Sequence, residues 1–117
     1  MVSLFYSTSV DIINNDIENA KKSMIGYETH GSVKIMKRIL DQVEIKLALL
    51  DLCMNNEEYI GSPDVLDEHI TTANKLREDI ENVFNNRFPT LATRTIHQNV
   101  LIVVGMFQDI IKSMKKY

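Results

Sequence analysis

The chain has 117 residues, 44% of them apolar and 25% charged, which are the proportions of one ordinary globular domain. Its formal charge of -3 at pH 7 supplies no global field that would draw it to nucleic acid or to an anionic membrane surface. The lone cysteine excludes an internal disulfide framework, and the apolar run Val100 to Phe107 is far shorter than the ~20 residues a membrane-crossing helix needs.

The opening residues, Met1-Val2-Ser3-Leu4-Phe5-Tyr6, carry neither a basic n-region nor a long apolar h-region, so they do not read as a secretory signal. A cytoplasmic setting, in a cell or in an infected host cell, is the expectation. Abundant Ile, Asn and Lys with no Trp is a bias typical of AT-rich coding DNA, as in many phages, viruses and low-GC bacteria.

The first helix is expected from Ser9, a good N-cap, to about Ile25, with Val2, Leu4, Phe5 and Tyr6 as an arm before it. Val10, Ile13, Ile17, Ala20 and Met24 recur at spacings of three and four, which puts them on one face. Gly26 and Gly31 then bracket a break. The next stripe (Met36, Leu40, Val43, Leu47, Leu50, Met54) is out of phase with the first, and one continuous helix would turn Gly31 and Lys34 onto the buried seam. A second helix from about Ser32 to Met54 follows, ended by Asn55-Asn56. Ile35, Ile39, Ile45, Leu49 and Leu52 widen its apolar face, so it should touch two neighbours.

Ser62-Pro63-Asp64 combines an N-cap, a proline at the first helical position and an acid near the positive end of the dipole. The third helix runs from there through Leu66, Ile70, Ala73, Leu76, Ile80, Val83 and Phe84 to a break at Asn85-Asn86 or Pro89. Thr90 or Thr93 caps the fourth, whose seam is Ile96, Val100, Val103, Phe107, Ile110, Met114 and Tyr117, with Lys112, Lys115 and Lys116 at the end where the dipole favours cations. The β-branched stretch Val100 to Val104 could be a buried strand, but its continuation to Tyr117 in helical register decides for helix. There is no internal repeat and no linker. The expected fold is all-α: an antiparallel four-helix bundle spanning 1–117, with a strongly apolar C-terminal helix.

That last helix carries Leu101, Ile102, Val104, Met106 and Ile111 beyond its seam, so it is apolar nearly all round and calls for a surrounding. Either it is central, covered by the other helices and the N-terminal arm, or its surplus forms an interface with a second copy or a partner helix. Gly105 suits both, because it lets another helix come close. On the interface reading, Leu101, Val104 and Ile111 bind the partner. Lys34, Lys37 and Arg38 then tune specificity from the rim, and Asp41 stands three and four residues from the last two as a candidate counter-charge.

The chemistry is narrowed by exclusion. A di-iron bundle needs Glu-x-x-His pairs, so that both ligands share a helical face, and no Glu stands three residues before His30, His69 or His97. His-Glu-x-x-His is also missing. Glu57, Glu58, Asp64, Asp67 and Glu68, with His69 beside them, could gather oxygen ligands for a divalent cation, but acids favour a helix start and are normally solvated there. His30-Gly31-Ser32-Val33-Lys34 has the residue types of a phosphotransfer histidine in an order that does not match, and it falls in an expected loop. Cys53, between Leu52 and Met54, has no cation to make it a thiolate. Neither a Gly-rich phosphate loop nor a Gly-x-Ser-x-Gly elbow occurs. No enzyme, cofactor or metal is expected.

Phe88 to Val100 has the cadence of a turn followed by a recognition helix, with Ile80, Phe84, Leu91, Ile96 and Val100 buried and Arg94, His97 and Gln98 pointing outward. In outline this resembles a helix-turn-helix, which implies a DNA-binding regulator. The negative charge, the absence of a wing or basic arm, and the run straight into Leu101-Ile102-Val103-Val104 weigh against it. The leading expectation is a non-enzymatic protein-interaction module (an inhibitor, adaptor or small chaperone-like regulator) working as a homodimer, with DNA binding as the alternative.

Overall fold

The computed structural model describes residues 4–54, 63–86 and 90–115, with side chains for 9–50, 67–83 and 90–113. Four helices account for the described chain: α1 (Leu4–Ser23), α2 (Gly31–Met54), α3 (Pro63–Asn86) and α4 (Leu91–Lys115). No strand occurs among the described residues, so Val100 to Val104 are helical.

α1 starts at Leu4 rather than at Ser9, which sits half-buried inside the helix. Ser9 is a good cap only if the residues before it leave the helix. Tyr6 instead stands four residues before Val10, in register with the apolar stripe, and the helix continues through it. The expected arm is therefore mostly the first turn of α1, and Val2 lies outside the described residues.

The break after α1 is built by the backbone. Met24 N–H and Ile25 N–H donate to the carbonyls of Lys21 (3.1 Å) and Lys22 (3.2 Å), tightening the last turn. Gly26 then takes φ +91°, a left-handed conformation that glycine adopts without steric cost. Its N–H donates to Glu28 Oε2 at 2.9 Å, and the His30 carbonyl accepts the first bond of α2 from Lys34 N–H at 3.0 Å. At α4 the choice between two threonines is decided for Thr90. Its carbonyl accepts from Thr93 N–H and Arg94 N–H, both at 3.0 Å, and its Oγ1 accepts from Thr93 N–H at 3.3 Å. Thr93 is instead the first buried residue of that helix. Ser62, the expected cap of α3, lies outside the described residues, but Pro63 does open the helix.

The buried residues are those the helical spacing selects. Val10, Ile13, Ile17, Ala20 and Met24 come from α1, and Val33, Met36, Leu40, Val43, Leu47 and Leu50 from α2. α3 adds Ala73, Leu76, Ile80 and Val83. α4 contributes Ile96, Val100, Val103, Val104, Phe107, Ile110 and Ile111, and it packs against all three other helices. α2 touches the other three as well, whereas α1 and α3 make no direct contact among the described residues. The surplus apolar surface of α4 is thereby largely explained. Val104 and Ile111 are 0% exposed and belong to this chain's own core, so neither is available to a partner while the chain is folded.

Polar contacts tie the helix pairs at their edges. Lys21 Nζ bridges α1 to α2, lying 2.5 Å from Glu44 Oε2 and 3.4 Å from Asp41 Oδ1. The Glu44 hydrogen bond, with help from Asp41, raises the Lys21 pKa. Asp41 is thus the partner of Lys21 and not, as expected, of Lys37 and Arg38. Between α3 and α4, buried Gln108 donates from Nε2 to Asn74 Oδ1 (2.9 Å) and accepts at Oε1 from Arg77 Nη1 (3.1 Å). Arg77 also donates to Glu81 Oε1 at 3.3 Å, which fixes the guanidinium from its other side.

Candidate functional site

Among the described residues α2 and α3 touch less extensively than the other neighbouring helices, and an open groove of about 590 Å³ lies between them. Ile35 and Ile39 on α2 and Leu76 and Val83 on α3 give it an apolar floor. Its rim is polar: Arg38 and Gln42 on one wall, Thr71, Lys75, Asp79 and Asn82 on the other. The same side chains explain why it stays open, because polar groups on the α3 edge would lose their hydration if the helices closed. Beyond one end, Lys46 Nζ reaches across to Glu68 Oε1 at 3.6 Å and holds the two helices together. Lys75 and Asp79 pair along α3 at 3.7 Å, which leaves Arg38 as the rim charge with no ion partner among the described residues.

Of the expected rim cations, only Arg38 lines this groove. Lys34 and Lys37 are exposed on α2, outside its lining, and no acid among the described residues pairs with either. Exposed apolar side chains continue along α2 at Ile45 (56% exposed) and Leu49 (43%).

The helix-turn-helix positions separate. Arg94 and Gln98 are exposed, but His97 is 0% exposed and points into the core, so it cannot reach a phosphate or a base edge. Its register explains this: with Thr93, Val100 and Val104 it forms a spacing of four, three and four on the buried face. The His97 Nδ1–H donates to the Thr93 carbonyl at 2.6 Å, since a carbonyl can only accept. Burial lowers its pKa from the ordinary 6.5, partly offset by that bond, so the ring is neutral at pH 7. Leu91, expected in the core, is 86% exposed, because the first residue after the Thr90 cap precedes the buried arc that opens at Thr93. Ile80, Ile96 and Val100 are buried as expected, while the side chain of Phe84 lies outside the described residues.

His69 is buried with its ring centroid 6.3 Å from that of Phe107, and Glu68 faces Lys46. Glu57 and Glu58 lie outside the described residues, as do the side chains of Asp64 and Cys53. Among the described residues no three His, Cys, Asp or Glu side chains gather as a metal site would require. His30 stands exposed in the turn before α2.

The outward face of α4 is a second surface. Ile102 is 58% exposed beside half-buried Leu101, with exposed Arg94 and Asp109 above and below on the same side. A Cβ built on Gly105 would meet nothing within 4 Å, so no helix uses, among the described residues, the close approach that this glycine permits. Leu101 itself packs against the core from its edge, and is the one expected partner-binding residue of α4 that keeps some exposure.

No helix among the described residues is long and apolar enough to cross a membrane. Compared with known protein families, characterised proteins and solved structures, the chain matches none.

Proposed function

We propose that this chain is an antiparallel four-helix bundle that acts in the cytoplasm, without catalysis of its own, by binding another protein, and that it does so as a homodimer. The observation that carries the reading is the α2–α3 groove, an apolar floor between polar walls where, among the described residues, two neighbouring helices touch least. Such a groove suits an amphipathic helix, whose apolar ridge would cover Ile35, Ile39, Leu76 and Val83 while its flanks meet Arg38, Gln42 and Asn82. Antiparallel packing follows from four helices joined by short connections. The α2–α3 pair supports it, since Lys46 late in α2 meets Glu68 early in α3.

The interaction role thus moves from the buried positions of α4 to the groove, with Arg38 kept as the specificity-setting cation. A library of amphipathic helical peptides selected against the protein tests this. Binders should perturb the amide resonances of Ile35, Arg38, Ile39 and Leu76, and should be lost in Gln42→Trp, which fills the groove from an exposed position. Binders that map elsewhere, or that survive the tryptophan, would refute it. The DNA-binding alternative gains no support, because burial of His97 leaves only Arg94 and Gln98 of its proposed contacts on the surface.

A further inference from the structure

We infer that the occupant of the α2–α3 groove is a helix of a different protein, one that sets a carboxylate against Arg38 and apolar side chains against Ile45 and Leu49. This rests on the groove reading above, and it extends that reading along α2 to name the partner's chemistry.

Ile35, Arg38, Gln42, Ile45 and Leu49 recur along α2 at spacings of three, four, three and four. That is the spacing of a heptad seam, on which a second helix interleaves its side chains with those of the first. The core of this chain does not use the seam. Ile35 is half-buried and the other four are exposed, Ile45 by 56% and Leu49 by 43%. Ile35, Arg38 and Gln42 line the groove, while Ile45 and Leu49 carry the seam past the Lys46–Glu68 bridge at the groove's end. Groove and exposed patch are thereby one surface about 21 Å long, roughly four helical turns.

Arg38 decides what covers that surface. A helix laid on the seam takes the guanidinium out of water, and a desolvated charge is tolerated only beside its opposite. Among the described residues this chain offers none: Asp41 is held by Lys21, and Asp79 across the groove by Lys75. Lys34, one turn before Arg38 on the same edge, is also exposed and without an ion partner among the described residues. It stands in the first turn of α2, where the helix dipole disfavours a cation. The facing wall of the groove is polar but carries no net charge, since Lys75 and Asp79 pair with each other. The complement is a helix acidic at one end of its ridge, on the flank toward α2, and apolar at the other end.

A second copy of this chain does not meet that requirement. Two α2 seams paired antiparallel about Gln42 set each Arg38 against Ile45 of the other copy, and a parallel pairing sets Arg38 against Arg38. Neither brings a carboxylate into the seam.

Designed helical peptides that share one apolar heptad ridge test this against the full chain by fluorescence anisotropy. They carry Glu, Gln or Lys at the ridge-edge positions meant for Lys34 and Arg38, and each is made with those positions near either end, so that both docking directions are sampled. The Glu peptide should bind at least about tenfold more tightly than the Gln peptide, and the Lys peptide more weakly still. Arg38→Glu should invert that order. Ile45→Asp should weaken every peptide by about tenfold or more, although it lies outside the groove. Both variants should keep the wild-type circular dichroism, because both side chains are exposed. Equal affinities whatever the charge, with shifts at the amides of Ile35 and Leu76, would overturn the acidic partner and leave the groove reading standing. Binding indifferent to Ile45→Asp would overturn the extended seam. No binding of any peptide up to about 1 mM would overturn both this inference and the groove as a helix site.

Discussion

Replacing Ile111 with alanine separates a core role from an interface role for α4. The side chain is 0% exposed on a helix packed against three others. Three carbons are removed, and at about 0.8 kcal/mol per buried methylene the lost transfer energy is about 2.4 kcal/mol. The void left in a core contacted from three sides collapses only in part, which adds about 1–2 kcal/mol. The expected cost is therefore about 3.4–4.4 kcal/mol, a large share of the 5–15 kcal/mol typical of a domain. Urea titration followed by far-UV circular dichroism measures it directly, as a lower midpoint at unchanged slope. Ile102→Ala, on the exposed side of the same helix, is the control and should change monomer stability by less than about 0.5 kcal/mol. A cost below about 1 kcal/mol at Ile111, or equal effects at the two sites, would refute the placement of α4 at the centre of the fold.

Gln108→Leu removes the two hydrogen bonds that join α3 to α4 at Asn74 and Arg77, and should lower stability by about 0.5–1.5 kcal/mol in the same titration. An unchanged midpoint would mean the clasp contributes nothing. His97 makes stability depend on pH: its folded pKa lies below 6.5, so the unfolded chain binds more protons as the solution is acidified. Its contribution is complete above about pH 6.5 and is lost as pH falls through the folded pKa, so unfolding free energy should decline between pH 7 and 5. That decline should be shallower in His97→Gln; an identical slope in the variant would exclude this histidine as its source. Gly26→Ala forces a Cβ onto a backbone at φ +91° and should cost about 1 kcal/mol, read as a lower thermal midpoint, without altering the helices on either side.

Much of the architecture is legible in the sequence because it depends on near neighbours. Apolar residues at spacings of three and four mark the face each helix must bury, and Gly26 and Pro63 punctuate the chain through their own backbone geometry. The buried faces and the four helices follow from these local rules. The start of α1 does not, since Ser9 is a cap or an interior residue depending on whether Tyr6 continues the stripe before it.

The candidate site was far less legible. Whether Val104 and Ile111 form core or interface depends on how many helices surround α4, and the periodicity of α4 alone does not count its neighbours. His97 could have been assigned to the buried face from its spacing to Val100 and Val104, and Gln108 from its place between Val104 and Ile111. In both cases a polar side chain in an apolar stripe signals an internal hydrogen bond. The groove had no signal of its own, because it comes from two helix edges that meet only after folding. Local periodicity determined which residues would be buried. Only the tertiary structure decided which buried faces met one another, because that choice belongs to the packing of all four helices at once and to no single helix.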